Sequence, residues 1–223
     1  MPGFSSSNDR WFYSGMATLL AAVIFAGFVP TFFARAAYPE LPPLPLLALL
    51  HGVAGTLWLV LFVTQAWLMT ADRRDWHRRL GMSGAVLAAL FVLSAAGVIA
   101  NVERAHLYDS MGTFAAHVYA NGAPSVAFGL LVAAGIAQRG VAARHKRFML
   151  LAAIALLPPG TGRLFGHFGL SFLNVPVYFC VLCVNALYDA VIYRRVHPVS
   201  WIGGAALAAI EISTDEWLSA IGS

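Results

Sequence analysis

Charge is scarce in this 223-residue sequence: Lys and Arg total 14, Asp and Glu total 10, and together they make up 11% of the chain. A soluble domain carries about 25% charged residues and 45–50% apolar ones, so an ordinary soluble enzyme and a disordered chain are both excluded. Cysteine is scarcer still, and the two present, Cys180 and Cys183, exclude a disulfide scaffold. They stand in an apolar run, where small-residue packing in a membrane helix explains them better than zinc or thiol chemistry. The chain also lacks a G-x-x-x-x-G-K-[ST] phosphate loop, an H-E-x-x-H helix and a G-x-S-x-G elbow. ATP-driven transport by this chain alone and zinc proteolysis are therefore not expected.

What is abundant is apolar residues, 60% of the chain, with a mean hydropathy of +0.74. A hydrocarbon core of about 30 Å needs about 20 helical residues. Apolar runs of about that size, with few charges in them, occur at 14–34, 44–70, 80–101, 112–138, 147–168 and 169–193. A seventh, 199–217, is interrupted after Ile210 by Glu211, Asp215 and Glu216. The expected fold is an all-α integral membrane bundle of about seven spans, forming one domain over residues 1–223. Ala34-Arg35-Ala36 loosely imitates a secretory cleavage site, but the run before it is longer than the usual 7–15 residues of a signal. It is read as the first span.

The few charges give an orientation. With these spans, Arg10, Arg73, Arg74, Arg78, Arg79, Arg139, Arg144, Lys146, Arg147, Arg194 and Arg195 fall on one side, and only Arg35, Arg104 and Arg163 on the other. Basic loops face the cytoplasm, so the N-terminus is expected there, the seventh span ending outside. A multi-pass protein of the inner (plasma) membrane is expected. The pI near 9.4 reflects anchoring of arginines at lipid headgroups and implies no nucleic-acid partner.

Seven histidines stand out against this background. His51 and His117 lie inside the second and fourth spans near their outer ends. His77 and His145 open the third and fifth within Trp76-His77-Arg78-Arg79 and Arg144-His145-Lys146-Arg147. The intervals, 26 and 28 residues, and the stripes His51, Gly55, Trp58, Phe62, Gln65 and His117, Asn121, Pro124, Phe128 point to a repeated helical hairpin. If spans two to five form a four-helix bundle, each histidine pair is suited to bis-histidine ligation of a haem iron, with His51 and His117 the better-placed pair and the expected iron ligands. Arg78, Arg79, Lys146 and Arg147 would then pair with propionates at the inner face, and Arg163 at the outer.

In these four histidines, residues 44–168 resemble the transmembrane b-type di-haem cytochromes, which implies haem b, a redox partner and electron transfer across the membrane. In those cytochromes the ligands sit within the helices, whereas His77 and His145 abut basic loops. A second resemblance runs over roughly 50–217. Gln65 followed by His77-Arg78-Arg79-Leu80-Gly81, His145-Lys146-Arg147-Phe148-Met149-Leu150, and Tyr188-Asp189 followed by Arg194-Arg195-Val196-His197-Pro198 are similar to an uncharacterised family of bacterial seven-helix multi-pass membrane proteins. That family implies the architecture and no settled activity.

Competing readings remain open on the sequence alone. The histidines, with Gln65 and Asn121, equally serve as hydrogen-bonding staples of a non-enzymatic scaffold or assembly factor. Asp189, isolated in the sixth span, calls for a basic partner such as Arg79 or Arg147, or else serves proton transfer. With Arg163 it would serve a proton or small-solute carrier. Leu157-Pro158-Pro159-Gly160-Thr161-Gly162-Arg163 breaks the fifth span, either to line a site or as a plain kink.

Overall fold

The computed structural model describes residues 7–41, 43–104 and 111–221. Every element in them is helical. Helix α1 (Asn8–Phe28) runs on into a wider π turn, Val29–Phe33, that contains Pro30, and then into a short 3-10 turn, Arg35–Ala37. Pro45, extended at φ −56° and ψ 146°, delivers the chain to α2 (Leu46–Thr70). There follow α3 (Arg74–Arg104), α4 (Met111–Ala137), α5 (Ala142–Ala155), α6 (Leu157–His167), α7 (Asn174–Tyr193) and α8 (Pro198–Ile221).

Six segments are long and apolar enough to cross a membrane: Asn8–Phe33, Leu46–Thr70, Arg74–Asn101, Val118–Ala137, Ala142–His167 and Ser171–Tyr193. α8 is long enough but is not among them; its acidic C-terminal half dilutes its apolar content. The helices begin before the apolar runs do. α1, α3 and α5 start at Asn8, Arg74 and Ala142, because a helix satisfies its own backbone while its first turn stands in the polar interface and tolerates charge.

α1 to α5 pack neighbour against neighbour, and α1 closes the ring by packing on α5 and α6. The expected closure of a four-helix bundle by α2 against α5 is therefore replaced by a ring that includes α1. A second ring shares α5: α8 packs on α4, α5 and α7, and α7 returns to α6. α5 is thus central, with Leu150 to Ile154 completely buried. Across the first ring an aromatic cluster fills the space, Trp58 of α2 lying edge-on to Phe128 of α4 at 4.7 Å and Phe91 of α3 meeting Phe128 at 5.1 Å. Cys180 and Cys183, one turn apart on α7, are exposed; they do not pack between helices as expected.

The central helix breaks where Pro158 and Pro159 withhold two backbone donors. Leu156 tightens into a turn, its N–H donating to the Ala153 carbonyl at 3.2 Å, and α6 restarts with the prolines in its first turn, where no donor is needed. The Thr161 hydroxyl donates back to the Leu157 carbonyl at 3.1 Å. α1 crosses α6 at Gly27 and Gly160. A Cβ on Gly160 would stand 2.8 Å from the Ile24 Cα, and one on Gly27 would overlap the Gly160 carbonyl. Only paired glycines permit this approach of two backbones.

Candidate functional site

One end of the bundle gathers the polar chemistry. The start of α1, the end of α2 and the starts of α3, α5 and α8 meet the end of α7 there, through contacts such as Arg10 to Asp72 at 3.3 Å and Ser200 to Asp189 at 2.6 Å. All eleven basic residues that the sequence assigns to one side lie on helix ends or turns at this basic end. Arg35 and Arg163 belong to the opposite end.

Two of the expected histidines are brought together at the basic end. The rings of His77 on α3 and His145 on α5 stand with centroids 6.1 Å apart and planes at 85°. Each reaches back to the helix before it: Nδ1 of His145 lies 2.8 Å from the Gly135 carbonyl, and Nδ1 of His77 lies 3.4 Å from the Gln65 carbonyl. A carbonyl only accepts, so each Nδ1 carries the proton and each Nε2 keeps its lone pair. This backbone anchoring is the usual support of a metal-ligating imidazole. A contact of the same kind thus occurs in both helical hairpins, 12 residues apart in the first and 10 in the second.

The other expected pair is not assembled within the described residues, because the side chain of His117 lies outside them, as does His106. His51 ties α2 to α3: its Nδ1 is 3.2 Å from both the Phe91 carbonyl and the Ser94 hydroxyl, and its ring stacks on Phe91 at 4.2 Å. Arg163 donates to the Pro159 carbonyl at 2.9 Å and stands 4.5 Å from the Phe28 ring centre. Asn121 is exposed on α4.

Beside the histidine pair lies a quartet of charges, of which Asp9, Arg147 and Asp189 are buried and Lys146 is partly exposed. Arg147 and Asp189 are both fully buried and joined by two bonds, Nε to Oδ2 at 3.0 Å and Nη2 to Oδ1. The Ser200 hydroxyl and the His197 backbone N–H, at 2.6 and 3.2 Å, complete the shell of Oδ2, while Nη1 of Arg147 donates to the Ala143 carbonyl at 2.7 Å. Of the two partners expected for Asp189, Arg147 is the one found. The second pair is Lys146 with Asp9, whose Oδ1 also accepts the hydroxyls of Tyr188 at 2.7 Å and Tyr193 at 2.5 Å. Lys146 and Arg147 are therefore committed to carboxylates and are not available for propionates as expected; Arg78 and Arg79 remain at the surface.

Sequence reasoning missed Asp9, Tyr13, Tyr188, Tyr193 and Ser200. The available signal was Asp9 itself, one of only ten acidic residues, standing one turn before Tyr13 at the mouth of the first apolar run. Two polar atoms close to the quartet, the Tyr13 hydroxyl and Asn185 Oδ1, have no hydrogen-bond partner among the described residues, and neither has the Gln65 amide. Comparison with protein-family models, with curated proteins and with solved structures finds no match.

The geometry of α8 follows from a short stretch. Arg194 takes a left-handed conformation at φ 57° and stops α7, as helix C-termini commonly do. His197 then caps α8, its Nδ1 accepting the Val199 N–H at 3.1 Å, with Pro198 in the first helical position. Burial, reinforced by the Arg147 guanidinium and by Arg144 and Lys146, pushes the His197 imidazole down from 6.5 to about 4 against the opposing pull of Asp189.

Two expectations follow. Arg147→Met or Asp189→Leu alone leaves a buried charge without its partner and should cost about 3–5 kcal/mol, whereas the double variant should recover most of the loss. Thermal unfolding in detergent reads both, and an additive double variant would overturn the coupling. For His197, the unfolded chain binds more protons than the folded one between pH 6.5 and about 4. Its contribution to stability is full above 6.5 and is lost as pH falls through that window. His197→Asn keeps a cap without titrating, so its unfolding temperature should fall less on acidification from pH 7 to pH 4.

Proposed function

We propose that this chain is a seven-span protein of the inner membrane that exchanges electrons through a haem b at its basic end, which His77 and His145 would hold through Nε2. The observation that carries this reading is the anchored pair itself. The rings stand with centroids 6.1 Å apart and each keeps an Nε2 lone pair while its Nδ1 is held by a backbone carbonyl, so the two residues would be able to hold one iron between them.

A haem bound there would supply one-electron exchange. The chain's part is to hold the ligands. The Gln65 and Gly135 carbonyls fix both ring tautomers, and exposed Arg78 and Arg79 are placed to meet carboxylates at the headgroup level. At the opposite end, His51 with His117 is the candidate for a second haem. The asymmetry of eleven basic residues against three supports a cytoplasmic N-terminus. α8 is assigned as the seventh span because it packs on α4, α5 and α7 and is fastened to Asp189 at its start.

One observation favours a scaffold as the second reading: each of His51, His77 and His145 bonds a backbone carbonyl of a neighbouring helix, which is sufficient for a staple. The visible spectrum separates the two. Full-length protein purified in detergent from haem-replete cells should show a b-type Soret band that shifts on reduction and is largely lost in His77→Ala and His145→Ala. A colourless preparation from haem-replete cells would overturn the haem reading. For topology, a reporter fused after Ser223 should appear outside the cell membrane; a cytoplasmic signal would remove the seventh span.

A further inference from the structure

Two turns at the basic end join consecutive helices, and only one of them carries its own counter-charge. The first, 71–73 between α2 and α3, contains Asp72, whose Oδ1 accepts from Arg10 at 3.3 Å and from Arg74 at 3.2 Å, and Asp75 follows in the first turn of α3. The second, between α4 and α5, reads Gln138-Arg139-Gly140-Val141, with Arg144 in the first turn of α5. No acidic residue occurs in the sequence between Asp109 and Asp189. The two buried carboxylates at this end, Asp9 and Asp189, are taken by Lys146 and Arg147. Arg139 and Arg144 are exposed, and among the described residues neither meets a carboxylate.

These two guanidinium groups are gathered over the end of α4. Arg144 donates through Nη1 to Gln138 Oε1 at 3.0 Å, and Nη1 of Arg139 reaches the Ile136 carbonyl at 3.5 Å. Each bond uses one of five N–H donors. The turn stands between two of the segments apolar enough to cross a membrane, Val118–Ala137 and Ala142–His167, which puts it at headgroup depth. Val141 beside the arginines is exposed as well, so the surface is cationic and apolar at once, a combination that fits an amphiphile better than a free anion.

We propose that the α4–α5 turn binds an anionic phospholipid, Arg139 and Arg144 donating to its phosphate while Val141 meets its glycerol and acyl portion. The guanidinium fork matches phosphate oxygens, and arginines immediately outside a span attract anionic lipid. None of the residues assigned to haem takes part, so the lipid surface stands or falls apart from that reading.

Full-length protein in detergent, titrated with phosphatidylglycerol or phosphatidylcholine and read by native mass spectrometry, provides the test. Phosphatidylglycerol should be retained in preference. Arg139→Gln and Arg144→Gln should each weaken its retention about fivefold, and the double variant should bring it to the level of phosphatidylcholine. Arg74→Gln removes the same charge from the same end, but that arginine is already paired with Asp72, so retention should stay at the wild-type level. An equal loss in Arg74→Gln would mean that only the overall charge counts and would overturn the proposal, as would equal retention of the two lipids. Displacement of the lipid by an equal concentration of inorganic phosphate would also overturn it, assigning the arginines to a free anion.

Discussion

A guanidinium and a carboxylate that are both wholly buried must stay together, and much of this architecture follows from where Arg147 and Asp189 stand. Their union places the start of α5 against the end of α7. The remaining lone pairs of Asp189 then recruit Ser200 and the His197 backbone, which fixes the start of α8. Lys146, one residue before Arg147, does the same for α1 through Asp9. Four helices are thereby tied at one level. The desolvation penalty of such a cluster is large, so its value lies less in net stability than in excluding other registers.

The histidine pair sits on the same level. Because α5 carries both His145 and Arg147, the quartet that seats α5 also sets the depth of His145 relative to His77. The opposite end has a different character: a π turn, a proline break and a glycine crossing bring backbones close, and Arg163 and His51 spend their hydrogen bonds on carbonyls. Polar chemistry is concentrated at one end of the bundle and close backbone packing at the other.

Much of this was legible in the residues. Apolar runs located the spans, and alternate basic loops grouped the helix ends that the fold brings together, because hydropathy and charge are read by the bilayer locally. The Asp189 partnership was legible in part, since a lone buried carboxylate demands a base. Asp9 was not, because a polar residue just outside an apolar run looks the same whether it faces water or folds inward to meet Lys146. The ring closed by α1, the outward-facing Cys180 and Cys183, and the choice between the histidine pairs depend on which helix faces meet. One sequence carries no such information when every face is apolar.

The 42 residues that separate Arg147 from Asp189 also bear on biogenesis. During synthesis Lys146 finds Asp9 already made, whereas Arg147 emerges well before its carboxylate exists. At rates of about 5–20 residues per second the wait is roughly 2–8 s. In that interval the guanidinium can rest only at the interface, its side chain stretched toward water. The final seating of the central helix is therefore a late event, held open until α7 leaves the ribosome.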